Sequence, residues 1–127
     1  KITKYFKKNS LKKKVTLFGL SFKPNTDDLR ESRGIVLYNL LKKEGFSIKC
    51  YDPMDLKFIN DPISYHKNIE DSLEGSTALI ISVEDKEYKN LNFETLKDNG
   101  IKVIFDGRNI LKDRTKELAG IDYFSVG

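Results

Sequence analysis

The sequence holds a single cysteine and a single histidine, and that scarcity removes several kinds of chemistry at the outset. Cys50 has no second thiol to pair with, so no internal disulfide can staple the fold. It falls inside the strand pattern of residues 47–52 and reads as a buried packing position rather than a nucleophile. His66 has no cysteine, aspartate or second histidine at ligand spacing and reads as a surface residue, not a metal ligand. No apolar run approaches the roughly 20 residues that a membrane helix needs, and no signal peptide is visible. The expectation is a cytoplasmic protein with no membrane partner. Also missing are a nucleophile, base and orienting group at recognisable spacing, and the GxGxxG fingerprint that opens a dinucleotide-binding unit. What these residues can do is recognition rather than bond breaking.

What is present fits one compact domain. The chain has 127 residues, of which 39% are hydrophobic and 33% charged. That is enough for a three-layer α/β core but not for a catalytic domain plus a nucleotide domain. The formal net charge of +4 is mild. Much of it comes from Lys7, Lys8, Lys12, Lys13 and Lys14, without the interleaved stacking aromatics of a single-strand binder or a helix-turn-helix or zinc pattern. These lysines read as a solvated surface, and no nucleic-acid partner is expected. Ile2, Tyr5 and Phe6 sit at helical spacing, as a helix arriving from elsewhere would. Together with a start at Lys1 rather than methionine, this leads us to expect a piece of a longer chain.

Strand and helix patterns alternate along the rest. Strands are expected at 14–19, 46–51, 78–83, 102–105 and 122–125, and helices at about 32–44, 68–73, 92–98 and 114–118, with 54–67 irregular around Pro62. Gly45 and Gly75 punctuate helix ends. Residues 78–83, ALIISV, form a continuous apolar run of the kind buried on both faces of a parallel sheet. The alternation predicts right-handed crossovers and a doubly wound, mainly parallel five-stranded sheet in three layers, Rossmann-like in layout. The expected strand order is 3-2-1-4-5 by position in the chain. That order would set the loops after the first and fourth strands beside one crevice, where Phe22, Lys23 and Arg108 could converge.

The segment around which these elements are organised is VTLFGLSFKPNTDDLRES, residues 15–32. Its apolar start is a strand, Gly19 ends it, and the polar remainder sits where parallel α/β sheets bind ligands, outside the carboxyl ends of their strands. The loop runs into an apolar helical pattern whose free N–H groups attract anions. By composition alone, the acidic residues and Ser32 are also ordinary capping groups, and Pro24 with Asn25 is ordinary turn chemistry. Lys23 offers a positive charge and three donors to a phosphate, and Arg108 a planar fork for a phosphate or the acceptor edge of a base. Asp106 reads chiefly as a group that holds Arg108 or its turn.

FKPNTDDLRES, followed by Tyr51-Asp52-Pro53 and Phe105-Asp106-Gly107-Arg108-Asn109, resembles the C-terminal nucleotide-binding domain of the UDP-glucose and GDP-mannose dehydrogenase family. The three blocks occur in order, and the resemblance covers about residues 11–127. Members are NAD-dependent enzymes that oxidise the C6 hydroxyl of a sugar nucleotide to a carboxylate. The resemblance implies that residues 1–10 end an inter-domain helix and linker and that 11–127 form a UDP-sugar-binding domain. It implies Phe22 and Lys23 on the sugar nucleotide, Arg108 on its UDP part, and Arg30 reaching the NAD pyrophosphate, with NAD held mainly by an N-terminal domain outside this sequence. Glu31 and Ser32 read as capping and orienting groups. Implied partners are a UDP-sugar, the N-terminal and central domains of the same enzyme, and further copies in a homo-oligomer. The DGRN block is more similar to the UDP-sugar branch, with UDP-glucose as first choice. Arg33-Gly34 departs from the commoner Ser or Pro followed by Ala. The family's catalytic cysteine belongs to an earlier region, and Cys50 does not match its motif, so these residues by themselves are expected to be inactive.

Two other readings share the pattern. One is a free-standing nucleotide-binding or regulatory α/β module. The other is a receiver-type signalling domain, suggested by the Asp27-Asp28 pair but disfavoured because the third strand ends in Ser82-Val83-Glu84 rather than in the required aspartate.

Overall fold

The computed structural model describes residues 2–20, 33–53, 64–66 and 68–125. Within these, six parallel strands form one sheet. They are β1 (Lys14–Phe18), β2 (Ser47–Tyr51), β3 (Ser64–His66), β4 (Ala78–Ile81), β5 (Val103–Asp106) and β6 (Asp122–Ser125). Helices α1 (Ile2–Asn9), α2 (Arg33–Lys43), α3 (Ile69–Leu73), α4 (Lys86–Lys89) and α5 (Phe93–Asp98), with a 3-10 helix at Lys112–Glu117, cover its faces. The architecture is the doubly wound α/β fold that strand and helix alternation predicts.

Alternation of side chains along each strand divides the interior into two layers. Val15 and Leu17 of β1 join Phe6, Tyr38 and Leu41 on one face, while Phe18 joins Leu73, Tyr88 and Leu96 on the other. Thr16 shares that second face and is buried, but its hydroxyl donates to the carbonyl of Ser72, so its polarity is satisfied. Asn68, Asp85 and Asn92 cap α3, α4 and α5 by accepting backbone N–H groups of the first turn. Helix α1 belongs to the same packing. Phe6 is buried with its ring edge-on to Phe46 at 4.9 Å, and Tyr5 lies edge-on to Phe105 and Phe124. The Tyr5 hydroxyl donates to Asp122 at the start of β6. Among the described residues no helix is long and apolar enough to cross a membrane.

The strand order corrects the expectation. It is β3-β2-β1-β4-β5-β6, so the apolar strand at Ala78–Ile81 lies beside β1 and not outside β2. All four of its residues are buried, which demands a central position with a neighbour on each side. The outer place beside β2 goes to β3, a sixth strand inside the stretch expected to be irregular. At three residues, with pairing on one side only, β3 shows too little apolar periodicity to be read as a strand. His66 is one of its residues and is half-buried rather than on the open surface. The four-residue helix α4 was likewise not expected, and the helix near 114–118 is a 3-10 turn.

Cys50 is fully buried in β2, and burial pushes its thiol up to about 12. It therefore stays protonated across the ordinary pH range. A thiol-specific reagent at pH 8 is expected to label Cys50 only at the rate of global unfolding, and to react fully in denaturant. Rapid labelling of the folded chain, quantified by mass, would contradict the buried placement.

Candidate functional site

Because all strands are parallel, their carboxyl ends share one edge. The chain steps outward from β1 through β2 to β3, then returns and steps the other way from β4 to β6. Crevices in open α/β sheets form at such a reversal, here between the exits of β1 and β4.

The exit of β1 is held from both sides. Gly19, at φ +99°, donates its N–H to the Tyr51 carbonyl at 2.8 Å, and Leu20 donates its N–H to the Asp52 carboxylate at 2.8 Å. From β4, the Ser82 hydroxyl donates to the Gly19 carbonyl at 2.8 Å. Asp52 and Ser82 are both buried, so their roles are to fix backbone rather than to meet solvent. Above them the first turn of α2 comes down onto the Gly19 and Leu20 backbone at Gly34.

The exit of β5 is organised by Asp106, only 1% exposed. One carboxylate oxygen accepts the Arg108 N–H at 3.1 Å. The other accepts the Leu111 N–H at 2.8 Å and the Tyr123 hydroxyl at 2.6 Å. Gly107 donates its N–H to the Ile81 carbonyl at 2.9 Å, and a Cβ at Gly107 would meet that same oxygen at 3.0 Å. Asn109 takes the left-handed conformation at φ +58°. The turn holds Arg108 at the carboxyl edge with its side chain exposed. Burial, reinforced by the Asp106 carboxylate, raises the Tyr123 hydroxyl above its ordinary value and keeps it a donor.

Of the four site residues read from sequence, Arg108 lies exposed at this edge, while Phe22, Lys23 and Arg30 lie outside the described residues. The convergence expected from adjacent first and fourth strands does not have the expected basis. Here β4 stands between β1 and β5, so the two exits are two strand spacings apart, about 10 Å. Asp106 does hold the Arg108 turn, as expected. Tyr123 and Ser82 carry no local signal that marks them as partners of these loops, and Asp52 is legible only as part of the Tyr51-Asp52-Pro53 block. Among the described residues no group of three or more His, Cys, Asp or Glu is placed to hold a metal.

Two grooves are formed by described residues. One of about 340 Å³ runs between α3 and the α4–α5 segment over Leu73 and Leu96. The other, of about 300 Å³, opens at the amino ends of β1 and β2 beside Lys14 and Lys49. Only the second is confined to the amino edge; the first is lined in part by Glu87, which accepts from the Tyr51 hydroxyl at the end of β2.

Comparison with known proteins agrees with this fold. Residues 16–113 match the sequence model of the UDP-glucose/GDP-mannose dehydrogenase family, UDP binding domain. A UDP-N-acetyl-D-mannosamine dehydrogenase of Methanocaldococcus jannaschii is 36% identical over 100% of this chain and 29% of its own length. A UDP-glucose 6-dehydrogenase of Bacillus subtilis is 35% identical over 91% of this chain and 27% of its own length. Among solved structures, a UDP-N-acetyl-mannosamine dehydrogenase from S. aureus superposes with a TM-score of 0.77 at 30% identity, covering 97% of this chain and 28% of that one. The chain thus spans less than a third of the length of these relatives. On the match across both its β1 and β5 exits, the chain belongs to the UDP-glucose/GDP-mannose dehydrogenase family and carries that family's UDP-binding domain.

Proposed function

We propose that this chain recognises the UDP portion of a UDP-sugar within a larger NAD-dependent dehydrogenase, with UDP-glucose, oxidised at C6 to UDP-glucuronate, as the substrate. The observation that carries the reading is the Asp106-anchored turn, which holds the exposed Arg108 at the carboxyl edge of a doubly wound sheet. Arg108 then supplies a fork of donors to the UDP portion. Phe22 and Lys23 are proposed to complete the contact from the β1 loop, and Arg30 to reach NAD across a domain cleft. Residues 1–10 are proposed as the end of an inter-domain helix. A cytoplasmic homo-oligomer is the setting this implies.

The described residues do not fit NAD itself. A dinucleotide cradle needs free backbone N–H groups at the exit of the first strand. Here the Gly19 and Leu20 N–H groups are taken by Tyr51 and Asp52. This supports a substrate-recognition role for the chain, with NAD held mainly by another domain of the enzyme.

Relatives of nearly equal identity carry the names of UDP-N-acetylmannosamine and UDP-glucose enzymes, which favours a second reading of the sugar but keeps UDP common to both. Titration of the chain with UDP, UDP-glucose, UDP-N-acetylmannosamine and GDP-mannose tests both levels. Weak binding shared by the uridine nucleotides is expected, because a cleft with one wall loses contacts and preorganisation. Arg108→Ala is expected to weaken it by about 1.5–3 kcal/mol, the range for a hydrogen bond to a charged group. Preference for GDP-mannose, or unchanged UDP affinity in Arg108→Ala, would overturn the assignment.

A further inference from the structure

We propose that Tyr123 is a positioning residue for Arg108, acting through the buried carboxylate of Asp106. This rests on the UDP reading of the site. Tyr123 lies on β6, paired beside Ile104 of β5, and is separated from the Arg108 turn along the chain by the 3-10 helix. Its hydroxyl nevertheless ends 2.6 Å from the carboxylate oxygen that also accepts the Leu111 N–H. The opposite oxygen accepts the Arg108 N–H. One carboxylate thus fixes the turn at the arginine itself and again three residues later, and the tyrosine fixes the carboxylate.

Rotation of Asp106 would disturb both anchors at once. A buried carboxylate with two oxygens facing three donors has one orientation that satisfies all of them. Take away the hydroxyl and one oxygen keeps a single amide, so the group gains freedom about its terminal torsion. Gly107, pinned by the Ile81 carbonyl with no slack for a Cβ, and Asn109, in the left-handed region, leave the intervening backbone few other ways to relax. Disturbance at Asp106 is therefore passed to the direction in which Arg108 leaves the edge. Tyr123 is half-buried and takes no part in contact with the proposed nucleotide; its influence runs through the turn.

The test is a double-mutant cycle read as UDP affinity on the full 127-residue chain. Tyr123→Phe keeps the ring and removes only the hydroxyl. It is expected to weaken UDP binding about three- to tenfold in the parent chain and to have no further effect in the Arg108→Ala background, as coupled residues behave. Amide hydrogen exchange at Arg108 and Leu111 should quicken in the variant, whether or not UDP is present. Asp106→Asn, which retains one acceptor oxygen, should weaken UDP binding in the same direction. A purely structural tyrosine would lower thermal stability while leaving UDP affinity unchanged, or would weaken binding equally with and without Arg108; either result overturns the proposal. If the parent chain binds UDP and Arg108→Ala weakens it while Tyr123→Phe does not, the positioning role alone falls. If the parent chain binds no UDP, the reading of the site falls and takes this role with it.

Discussion

Phe6→Ala is expected to cost about 3–5 kcal/mol of unfolding free energy, as for other large aromatic truncations in a core. Phe6 is 1% exposed, and its ring is buried with Tyr38, Leu41 and Phe46 beneath the central strands. The cavity left by its removal cannot be filled by α1 alone, because α1 is also tied down at Tyr5 by Phe105, Phe124 and Asp122. Against the 5–15 kcal/mol typical of a domain, that loss is a large fraction of the whole. Urea unfolding followed by circular dichroism measures it, with the exposed Lys7→Ala as a control expected within about 0.5 kcal/mol. A Phe6→Ala loss below about 1 kcal/mol would show that α1 is only laid against the domain. The predicted loss would make the helix part of the domain's core, so that a movement of the helix would be felt by the sheet that carries the site.

Gly34→Ala is expected to destabilise the chain by about 1–3 kcal/mol, the usual cost of forcing volume into a filled space. On helix propensity alone the same change would be favourable by about 0.5–1 kcal/mol. The contact decides the sign. A Cβ on Gly34 would stand 2.2 Å from the Gly19 carbonyl oxygen and 2.7 Å from the Leu20 Cα. Both obstacles are backbone, and that backbone is tethered by Tyr51, Asp52 and Ser82. Relief requires the start of α2 to lift from the exit of β1. A shift of the denaturation midpoint to lower urea at constant slope is the expected signature. A midpoint that rose instead would mean that propensity wins and the close approach is absent.

Local pattern sufficed wherever a residue's role depends on its neighbours in the chain. The apolar run ending in Gly19, the buried ALII strand, the alternation of strand and helix, and the DGRN turn with its leading aspartate were all legible, because periodicity and turn chemistry act over a few residues. They determined the doubly wound fold and the turn that sets Arg108, exposed, at the carboxyl edge. Only the tertiary structure decided which strand sits beside which. Crossovers of similar length can lead to either side of β1, and a sequence records that a strand is buried on both faces without naming its neighbours. The same holds for β3, whose three residues become a strand only because β2 presents an open edge. It holds most of all for Tyr123, an ordinary strand tyrosine until the fold brings its hydroxyl to Asp106, and for Gly34, an ordinary glycine until α2 descends on Gly19. In each of these cases the deciding contact joins residues far apart in the chain, and such contacts leave no local trace.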